Sequence, residues 1–399
     1  MTYRTQALCL FVLLQTQWAG ADSGCSPLNY VTNLGNNYSI SKSIIVNPPN
    51  TLDSFSISNS NVLYSRLRIH WENQSDTLRD WHLTIRDKAF RPLQLIGPQD
   101  FNAEGVFVSN RLPGKKVFFD LISDETNKPK LTVKNVHYTK LNAENYSFSA
   151  QDPDDPGWSD LYTGNFSDKR LGDSVGIIVF KGVDSPPWSC SGFAISKSLF
   201  LTNWHCGGIP PKASDQYWSS KSLLQNAVID FSWHNGGVSQ NLFERNQYKI
   251  SASTVNARNP VHDDPLLDYA VLRIEPINRS NSLRVAKLAV DDNIAGAIKI
   301  IHHPLGEKKQ ITRNCMMDKS ISGWKDSSKE TEFTHNCDTE GGSSGSPVFN
   351  SSDRVIGLHH AGFDYDAECK NPDMKNKAVK IHMIWDSFPQ ELKKEITGW

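Results

Sequence analysis

The chain has 399 residues, with 42 basic and 43 acidic side chains and a formal net charge of −1. That length is enough for two or three domains with sizeable cores. The balance of charge indicates neither a nucleic-acid-binding protein nor one that docks on an acidic membrane surface.

Residues 1–21 have the pattern of a secretory signal peptide. Arg4 gives a basic start, residues 7–14 are almost wholly apolar, and Ala19 and Ala21 form a small-x-small cleavage site. The apolar run is too short to span a bilayer, and no later segment offers about 18 uninterrupted apolar residues. We therefore expect an exported protein with no stable membrane span, which is secreted or extracellular, or periplasmic if the source is bacterial.

The cysteines predict disulfides. Cys9 lies in the expected signal peptide, and six cysteines follow it: Cys25, Cys190, Cys206, Cys315, Cys337 and Cys369. An even number in an exported chain favours a disulfide framework, and six cysteines allow 15 pairings. Because the chain has neither a C-x-x-C nor an H-E-x-x-H motif, we expect no metal site, and we expect no cofactor.

Residues 22–150 form a first block that has the pattern of a small β-sandwich-like domain. Alternating runs at 67–71, 81–85, 116–122 and 130–133 are separated by Gly, Pro and Asn. No constellation of catalytic type occurs in this block, so we interpret it as an accessory or pro-domain. Residues 151–169 are expected to be a linker, because residues 152–157 read DPDDPG, a composition that cannot build a packed element.

Residues 170–399 form a second β-rich block. Strands are predicted at 174–180, 198–202, 269–274, 298–301 and 355–358. Many short strands joined by long polar loops favour β-barrels over a parallel sheet covered by helices. The stretch 385–396 is predicted to be helical, with an interruption at Pro389.

Three separate segments of this block carry residues suited to one chemistry. Residues 340–349, EGGSSGSPVF, place Ser344 on a tight turn, with glycine two positions before it and one after it. Residues 201–206, LTNWHC, end a strand in His205, the side chain type best able to exchange a proton with a serine. Residues 267–272, LDYAVL, open a strand with Asp268, whose carboxylate can orient an imidazole. Taken singly, each residue has a structural reading: a polar turn, a surface histidine or a strand cap.

The order His205, Asp268, Ser344 and the residues around them resemble the trypsin-like serine peptidases of the chymotrypsin fold. Residues 301–306, IHHPLG, are similar to a strand-end motif of the bacterial-type branch, which includes glutamyl and lysyl endopeptidases. The resemblance covers about residues 170–390. It implies an all-β architecture of two six-stranded β-barrels with the active site in the cleft between them, preceded here by the sandwich-like domain.

The resemblance also implies roles for individual residues. Ser344 would be the nucleophile, His205 the general base and then the general acid, and Asp268 the residue that orients His205. The backbone N–H groups of Gly342 and Ser344 would form the oxyanion hole. The implied function is a secreted serine endopeptidase that cleaves protein or peptide substrates through an acyl-enzyme, and we expect it to be a monomer.

The specificity pocket gives mixed signals. Asp338 lies six residues before Ser344, where an acidic residue binds Lys or Arg side chains in trypsin-like enzymes. His359 matches a histidine that glutamyl endopeptidases use against an acidic side chain, and Thr339 agrees with that preference. The sequence leaves the side-chain preference open between acidic and basic, and we lean slightly toward acidic or undetermined specificity.

The resemblance implies a Cys190–Cys206 disulfide. A Cys315–Cys337 pair would bridge the strand after His303 to the nucleophile loop, which leaves Cys25–Cys369. In animal trypsins a new N-terminus pairs with an aspartate just before the nucleophile. Here that position is the uncharged Ser343, so we expect no such ion pair.

Two alternatives to a peptidase remain open at this stage. The first is a non-catalytic binding protein on a peptidase scaffold. The second is a protein whose N-terminal β domain is the functional unit, through adhesion or ligand binding.

Overall fold

The computed structural model describes most of the chain between residues 32 and 398. The described segments are 32–33, 36–44, 53–57, 62–74, 81–88, 90, 92–101, 104–109, 112–113, 116–123, 128–140, 157–180, 188–207, 218, 224–225, 227–233, 246–251, 260–277, 283–291, 296–323, 328–362 and 375–398. The expected signal peptide, Cys25, Cys369 and residues 151–156 of the expected linker lie outside these segments. Among the described residues, no helix is long and apolar enough to cross a membrane.

The N-terminal strands form two antiparallel sheets. One sheet contains β2, β10, β4 and β7 in that order, with β8 beside β4; the other contains β3, β9, β5 and β6. The bounds are β1 Thr32–Asn33, β2 Asn36–Ile44, β3 Asp53–Ser56, β4 Val62–Trp71, β5 Trp81–Arg86, β6 Pro92–Ile96, β7 Val106–Val108, β8 Leu112–Pro113, β9 Lys116–Ser123 and β10 Leu131–Lys140.

Alternation of apolar side chains explains why these two sheets pack face to face. Leu67 and Ile69 point inward from one sheet, and Leu83, Ile85 and Phe119 point inward from the other, all fully buried in one shared core. The alternating runs predicted at 67–71, 81–85 and 116–122 lie in these strands, and the run at 130–133 overlaps β10. The sandwich-like prediction is confirmed.

The first barrel closes through six antiparallel strands. Its order is β13, β12, β15, β16, β18 and β14, and β14 returns to β13. The bounds are β12 Val175–Phe180, β13 Trp188–Ala194, β14 Leu199–Thr202, β15 Val228–Asp230, β16 Gln247–Ile250, β17 His262–Asp264 and β18 Tyr269–Pro276. Strand β17 pairs with β18, and the short β1 from the start of the described chain pairs with β13.

The second barrel closes in the same way. Its order is β20, β19, β22, β23, β24 and β21, and β21 returns to β20. The bounds are β11 Trp158–Asp160, β19 Ala297–His302, β20 Gln310–Ile321, β21 Glu332–His335, β22 Pro347–Asn350, β23 Val355–Ala361 and β24 Asn376–Lys380. Two closed six-stranded barrels confirm the predicted architecture.

Residues 158–169 differ from the expected linker. Strand β11 pairs with β20 of the second barrel, and a short helix, α1, follows at Phe166–Gly172. Asn165 caps this helix by accepting a hydrogen bond from the Asp168 N–H at 2.9 Å. Asp168 in turn pairs with Lys299 and Arg313, which explains how so polar a segment packs on the barrel.

Two helices end the described chain. Helix α2 spans Ile381–Ser387 and helix α3 spans Gln390–Thr397, with Pro389 between them as the N-cap of α3. Glu395 on α3 accepts two hydrogen bonds from Arg273 of the first barrel, at 2.7 and 2.8 Å. The helical prediction for 385–396 and its break at Pro389 are confirmed. Short 3₁₀ turns occupy Pro98–Asp100, Leu161–Thr163, His205–Gly207 and Pro304–Gly306.

The two barrels share one apolar core. Leu201 and Val271 of the first barrel pack in the same cluster as Ile301, Phe349 and Leu358 of the second. Each barrel also has an interior cluster of its own. Because the strand ends that carry the candidate residues border this shared core, their positions relative to one another are fixed by packing.

Candidate active site

His205 lies on a short turn that is tied to the preceding strand. The turn begins three residues after β14 ends, and a disulfide joins Cys206 to Cys190 of β13. The Trp188 indole N–H also donates to the Cys206 carbonyl at 2.9 Å. These two links hold the turn that carries His205 against β13.

Asp268 sits one residue before β18 in the left-handed backbone region, with φ of 47°. Asp and Asn enter this region more readily than most residues, since their short polar side chains can bond locally. The Asp268 carbonyl accepts hydrogen bonds from the Trp204 N–H at 3.1 Å and from the Asn203 amide at 2.9 Å. The loop of Asp268 is therefore fastened directly to the loop of His205.

The His205 and Asp268 side chains form a buried pair. One carboxylate oxygen, Oδ1, accepts from the His205 backbone N–H at 3.0 Å, and Oδ2 lies 2.7 Å from Nδ1. The two residues are only 7% and 2% exposed. A carboxylate accepts and does not donate, so Nδ1 carries the proton and Nε2 is left as the basic nitrogen.

The carboxyl of Asp268 stays ionised despite its burial. Burial alone would raise its pKa, but the charge and hydrogen bonds of His205 and His360 hold the pKa well below its usual range. The group is thus an anion at any pH at which the protein is expected to work.

Ser344 lies on a turn built from glycines. The Ser343 N–H donates to the Glu340 carbonyl at 2.8 Å, and the third residue of this turn, Gly342, has φ of 94°. A positive φ at the third position is the mark of a type II turn, which favours glycine there. The residue after Ser344, Gly345, also has a positive φ, 87°.

Gly345 has a second reason to be glycine. A Cβ atom there would lie 2.2 Å from the Ser191 carbonyl oxygen and 2.5 Å from the Thr202 hydroxyl. Both atoms belong to first-barrel strands, so the turn of Ser344 approaches that barrel more closely than any side chain would permit.

The first barrel brings Ser344 next to the turn of His205. The Ser191 N–H donates to the Ser344 carbonyl at 2.8 Å. Ser191 directly follows Cys190, and the disulfide partner Cys206 has its Sγ 3.9 Å from the same carbonyl. The Ser344 backbone therefore lies next to the turn that carries His205, which is itself paired with Asp268, and Ser344 is 4% exposed.

Sequence reasoning did not assign His360 to this site. Its Nδ1 lies 3.3 Å from Asp268 Oδ2, and its Nε2 lies 3.3 Å from an oxygen of the buried Glu332. Burial alone would lower the pKa of His360, but the Glu332 carboxylate and then Asp268 raise it to about 9. The one feature of the sequence that could have pointed to His360 is its position beside His359, a predicted pocket residue.

His359 contacts a second buried histidine. Its Nδ1 lies 3.2 Å from Nε2 of His335, and Nδ1 of His335 accepts from the Cys337 N–H at 3.2 Å. Burial, followed by repulsion from neighbouring histidines, lowers the pKa of His359 well below its usual range and lowers that of His335 to about 3. Both rings are neutral near pH 7.

The other two predicted pocket residues have separate partners. The Asp338 carboxylate accepts from the Gly157 N–H at 2.9 Å, which directs that oxygen toward the segment that leads into β11. The Thr339 hydroxyl accepts from the Asn376 amide at 3.1 Å, and this amide also donates to the Cys337 carbonyl. Cys337 forms the second described disulfide, with Cys315.

A second serine–histidine contact lies behind the nucleophile turn. Nδ1 of His302 lies 2.8 Å from the Ser343 hydroxyl, and both residues are fully buried. One cluster of possible metal ligands also occurs, formed by Cys190, His205 and Cys206 within 4.8 Å. Its two sulfurs are joined in the disulfide, so this cluster offers no thiolate to a metal.

Comparison with known proteins finds one family match and several relatives. Residues 190–358 match the family described as trypsin-like peptidase domain, a span that includes His205, Asp268 and Ser344. The chain is 25% identical over 306 residues to Secreted RxLR effector protein 73 of Plasmopara viticola, covering 71% of this chain and 70% of that protein. It is 26% identical over 187 residues to Uncharacterized protein y4fB of Sinorhizobium fredii, covering 45% of this chain and 26% of that protein.

The solved structures to which the chain is similar include a Glu endopeptidase and an HtrA-type protease. The Glu endopeptidase, in complex with MPD, is 18% identical with a TM-score of 0.37, covering 58% of this chain and 95% of that chain. The HtrA-type protease AlgW, with a tripeptide, is 13% identical with a TM-score of 0.38, covering 58% of this chain and 62% of that chain.

Proposed function

We propose that this protein is a secreted serine endopeptidase. The observation that carries the proposal is the buried pair of His205 and Asp268, 2.7 Å apart, in a segment that matches trypsin-like peptidase domains. Ser344 stands on a turn formed by glycines with positive φ, beside the same loop. A base, its orienting carboxylate and a nucleophile turn in one place are what acyl transfer requires.

The proposed reaction begins when Ser344 Oγ attacks the carbonyl carbon of the scissile peptide bond. The hydroxyl proton passes to Nε2 of His205, and the carbonyl oxygen becomes an oxyanion faced by the N–H groups of Gly342 and Ser344. Breaking the C–N bond takes the same proton from His205 to the leaving amine. The product is an ester on Ser344.

Hydrolysis of that ester reverses the roles. A water molecule gives a proton to His205 and attacks the ester carbonyl, and the proton then returns to Ser344 Oγ as the acid product leaves. Throughout, Asp268 keeps Nδ1 of His205 protonated and stabilises the imidazolium that forms transiently.

We further propose that the enzyme prefers an acidic side chain before the scissile bond. The Cys337 N–H donates to Nδ1 of His335, so the proton of that neutral ring is on Nε2 and points to Nδ1 of His359. His359 must then carry its own proton on Nε2. This chain of hydrogen bonds leaves His359 with a donor suited to a carboxylate.

The surroundings of Asp338 also support acidic over basic specificity. A pocket for Lys or Arg needs a carboxylate that faces the substrate. One oxygen of Asp338 instead accepts from the Gly157 backbone, on the segment leading into β11. His359 is therefore paired with His335 and Asp338 with Gly157, so the two side chains do not neutralise each other as an ion pair in these contacts.

Export is supported by several observations. The N-terminal pattern is that of a signal peptide, and two disulfides are of the kind that persist in oxidising compartments. The relative from Plasmopara viticola is named as a secreted effector. We propose that the N-terminal sandwich is an accessory or pro-domain of the exported enzyme.

Cleavage of a peptide library tests both the peptidase activity and the proposed preference for acidic side chains. Wild-type protein should cleave peptides after Glu or Asp, and Ser344→Ala should lower turnover by several orders of magnitude. His359→Gln should reduce cleavage after Glu or Asp selectively, because it removes the imidazole donor. The control is His82→Gln, an exposed histidine of the N-terminal sandwich.

Each part can fail separately. Wild-type turnover in Ser344→Ala would end the peptidase assignment. Cleavage confined to bonds after Lys or Arg would leave the peptidase but reject the acidic preference.

A further inference from the structure

Two peptide groups next to Ser344 have fixed orientations. The Gly341 carbonyl accepts from the Leu305 N–H at 2.7 Å, and the Ser343 carbonyl accepts from the Ser346 N–H at 3.0 Å. In a trans peptide the C=O and N–H bonds point in opposite directions. Holding these two carbonyls therefore directs the N–H groups of Gly342 and Ser344 to the opposite side.

Leu305 reaches Gly341 only in a strained conformation. Its φ is 53°, in the left-handed region, and it lies between Pro304 and Gly306 on the turn after β19. A non-glycine residue held there costs about 1 kcal/mol or more unless its surroundings impose the conformation. A strained donor aimed at one carbonyl of the nucleophile turn is a reason to look for function in this segment.

The Ser343 side chain fixes the same turn from within. Its hydroxyl accepts from the Glu340 N–H at 3.1 Å and lies 2.8 Å from Nδ1 of His302. The Thr312 hydroxyl donates to the Asp338 carbonyl at 2.8 Å and lies 3.3 Å from Nε2 of His302. His302 is thus placed between two hydroxyl groups.

Proton positions in this network follow from the fixed donors. Since the Thr312 hydroxyl proton is used on a carbonyl, its oxygen accepts from Nε2–H of His302. Nδ1 of His302 then carries no proton and accepts from the Ser343 hydroxyl. Burial, followed by repulsion from His335, lowers the pKa of His302 to about 3, which agrees with a neutral ring.

Ser191 connects the same segment to the first barrel. Its hydroxyl accepts from the His303 N–H at 3.0 Å and donates to the Gly342 carbonyl at 2.9 Å. The carbonyls of Gly341 and Gly342 are therefore both held, the first directly by Leu305 and the second through Ser191 by His303.

We propose that residues 302–306, the anchor segment, are a positioning device that holds the oxyanion-hole peptides of Gly342 and Ser344 in their working orientation. The inference rests on the proposed serine peptidase function. The side chains of this network, His302, Ser343, Thr312 and Ser191, are neutral, so they hold the turn through hydrogen bonds. His302 and Leu305 are positioning residues, because they act on the reaction through Gly341 and Ser343.

The test compares three variants with wild type on one peptide substrate. His302→Leu removes the acceptor of the Ser343 hydroxyl, Ser343→Ala removes the hydroxyl, and His302→Asn restores a carbonyl acceptor near the position of Nδ1. Loss of one oxyanion-hole donor lowers kcat by about 10²–10³-fold. We expect His302→Leu and Ser343→Ala to lower kcat toward that range with KM little changed, and His302→Asn to recover much of it.

A second measurement separates positioning from general damage. A peptide aldehyde adds to Ser344 and places an oxyanion in the hole, whereas a product peptide with a free carboxylate binds only the substrate subsites. The anchor variants should lose affinity for the aldehyde by about the same factor as kcat and keep affinity for the product. Thermal unfolding of each variant accompanies these measurements.

The outcomes distinguish this inference from the function on which it rests. Inactive wild-type protein, or full activity in Ser344→Ala, rejects the serine peptidase itself. Active wild type with unchanged kcat and aldehyde affinity in both His302→Leu and Ser343→Ala rejects the anchor segment alone. Equal losses of aldehyde and product affinity also reject it; should His302→Leu not fold, Ser343→Ala decides.

Discussion

Asp268→Asn is the sharpest perturbation of the proposed triad. Asparagine suits the left-handed backbone at this position, with φ of 47°, so the substitution adds little strain. Its amide has one acceptor and one donor end. Because the His205 backbone N–H at 3.0 Å can only donate, the amide oxygen takes the Oδ1 position and the NH₂ group takes the Oδ2 position.

That orientation reverses the tautomer of His205. The NH₂ group would face Nδ1 at the 2.7 Å contact, so Nδ1 must accept and the ring proton moves to Nε2. A protonated Nε2 cannot take the Ser344 proton. The same change in serine proteases with this triad lowers kcat about 10⁴-fold, which corresponds to about 5 kcal/mol of transition-state stabilisation.

The assay is kcat/KM on a peptide substrate for wild type, Asp268→Asn and Asp264→Asn. Asp264 is the matched control, since it ends β17 just before the loop of Asp268 and its carboxylate accepts from the backbone N–H groups of Leu266 and Leu267. We expect the loss of activity only in Asp268→Asn. Its melting temperature should also fall, because the buried His360 loses the Asp268 carboxylate 3.3 Å from its Nδ1, so activity is compared at temperatures at which each variant is folded. Activity within tenfold of wild type would refute the tautomer argument.

Three further predictions concern stability. Replacing Cys190 and Cys206 with serine opens a link of sequence separation 16 and should cost about 3 kcal/mol in the free energy of unfolding, measured by denaturant titration. Gly345→Ala should lower the melting temperature and the activity together, because its Cβ would lie 2.2 Å from a carbonyl oxygen; a wild-type melting temperature would contradict the close approach. Burial lowers the pKa of His302 and His335 from 6.5 to about 3, so unfolding takes up protons below pH 6.5. Near pH 5 each histidine should reduce stability by about 2 kcal/mol relative to neutral pH, and unchanged stability between pH 7.5 and pH 5 would oppose this.

Local patterns were sufficient to predict the barrels and the segments that carry the candidate triad. The strands predicted at 174–180, 198–202 and 269–274 lie within or overlap β12, β14 and β18, because buried strands leave continuous apolar runs in sequence. The glycines on either side of Ser344 likewise indicated a tight turn, because both adopt positive φ angles that few other residues tolerate.

The rest of the site depends on contacts between residues distant in sequence. His302 meets Ser343 across 41 residues, and the pairing of His360 with Glu332 depends on how β23 and β21 flank β24. No local pattern encodes which hydroxyl or carboxylate faces a given ring. The expected linker, residues 151–169, also included residues that belong to the folded domain. Strand β11 lies within it and is hydrogen-bonded to β20, more than a hundred residues away in sequence.

The central claim is that Ser344, activated by His205, is a nucleophile. The most direct measurement is reaction of the full chain with a fluorophosphonate probe, followed by mass spectrometry of the labelled peptide. The account predicts one adduct, on Ser344, that disappears in Ser344→Ala and persists in Ser343→Ala. No labelling of folded wild-type protein, or an adduct on Ser343, would contradict it.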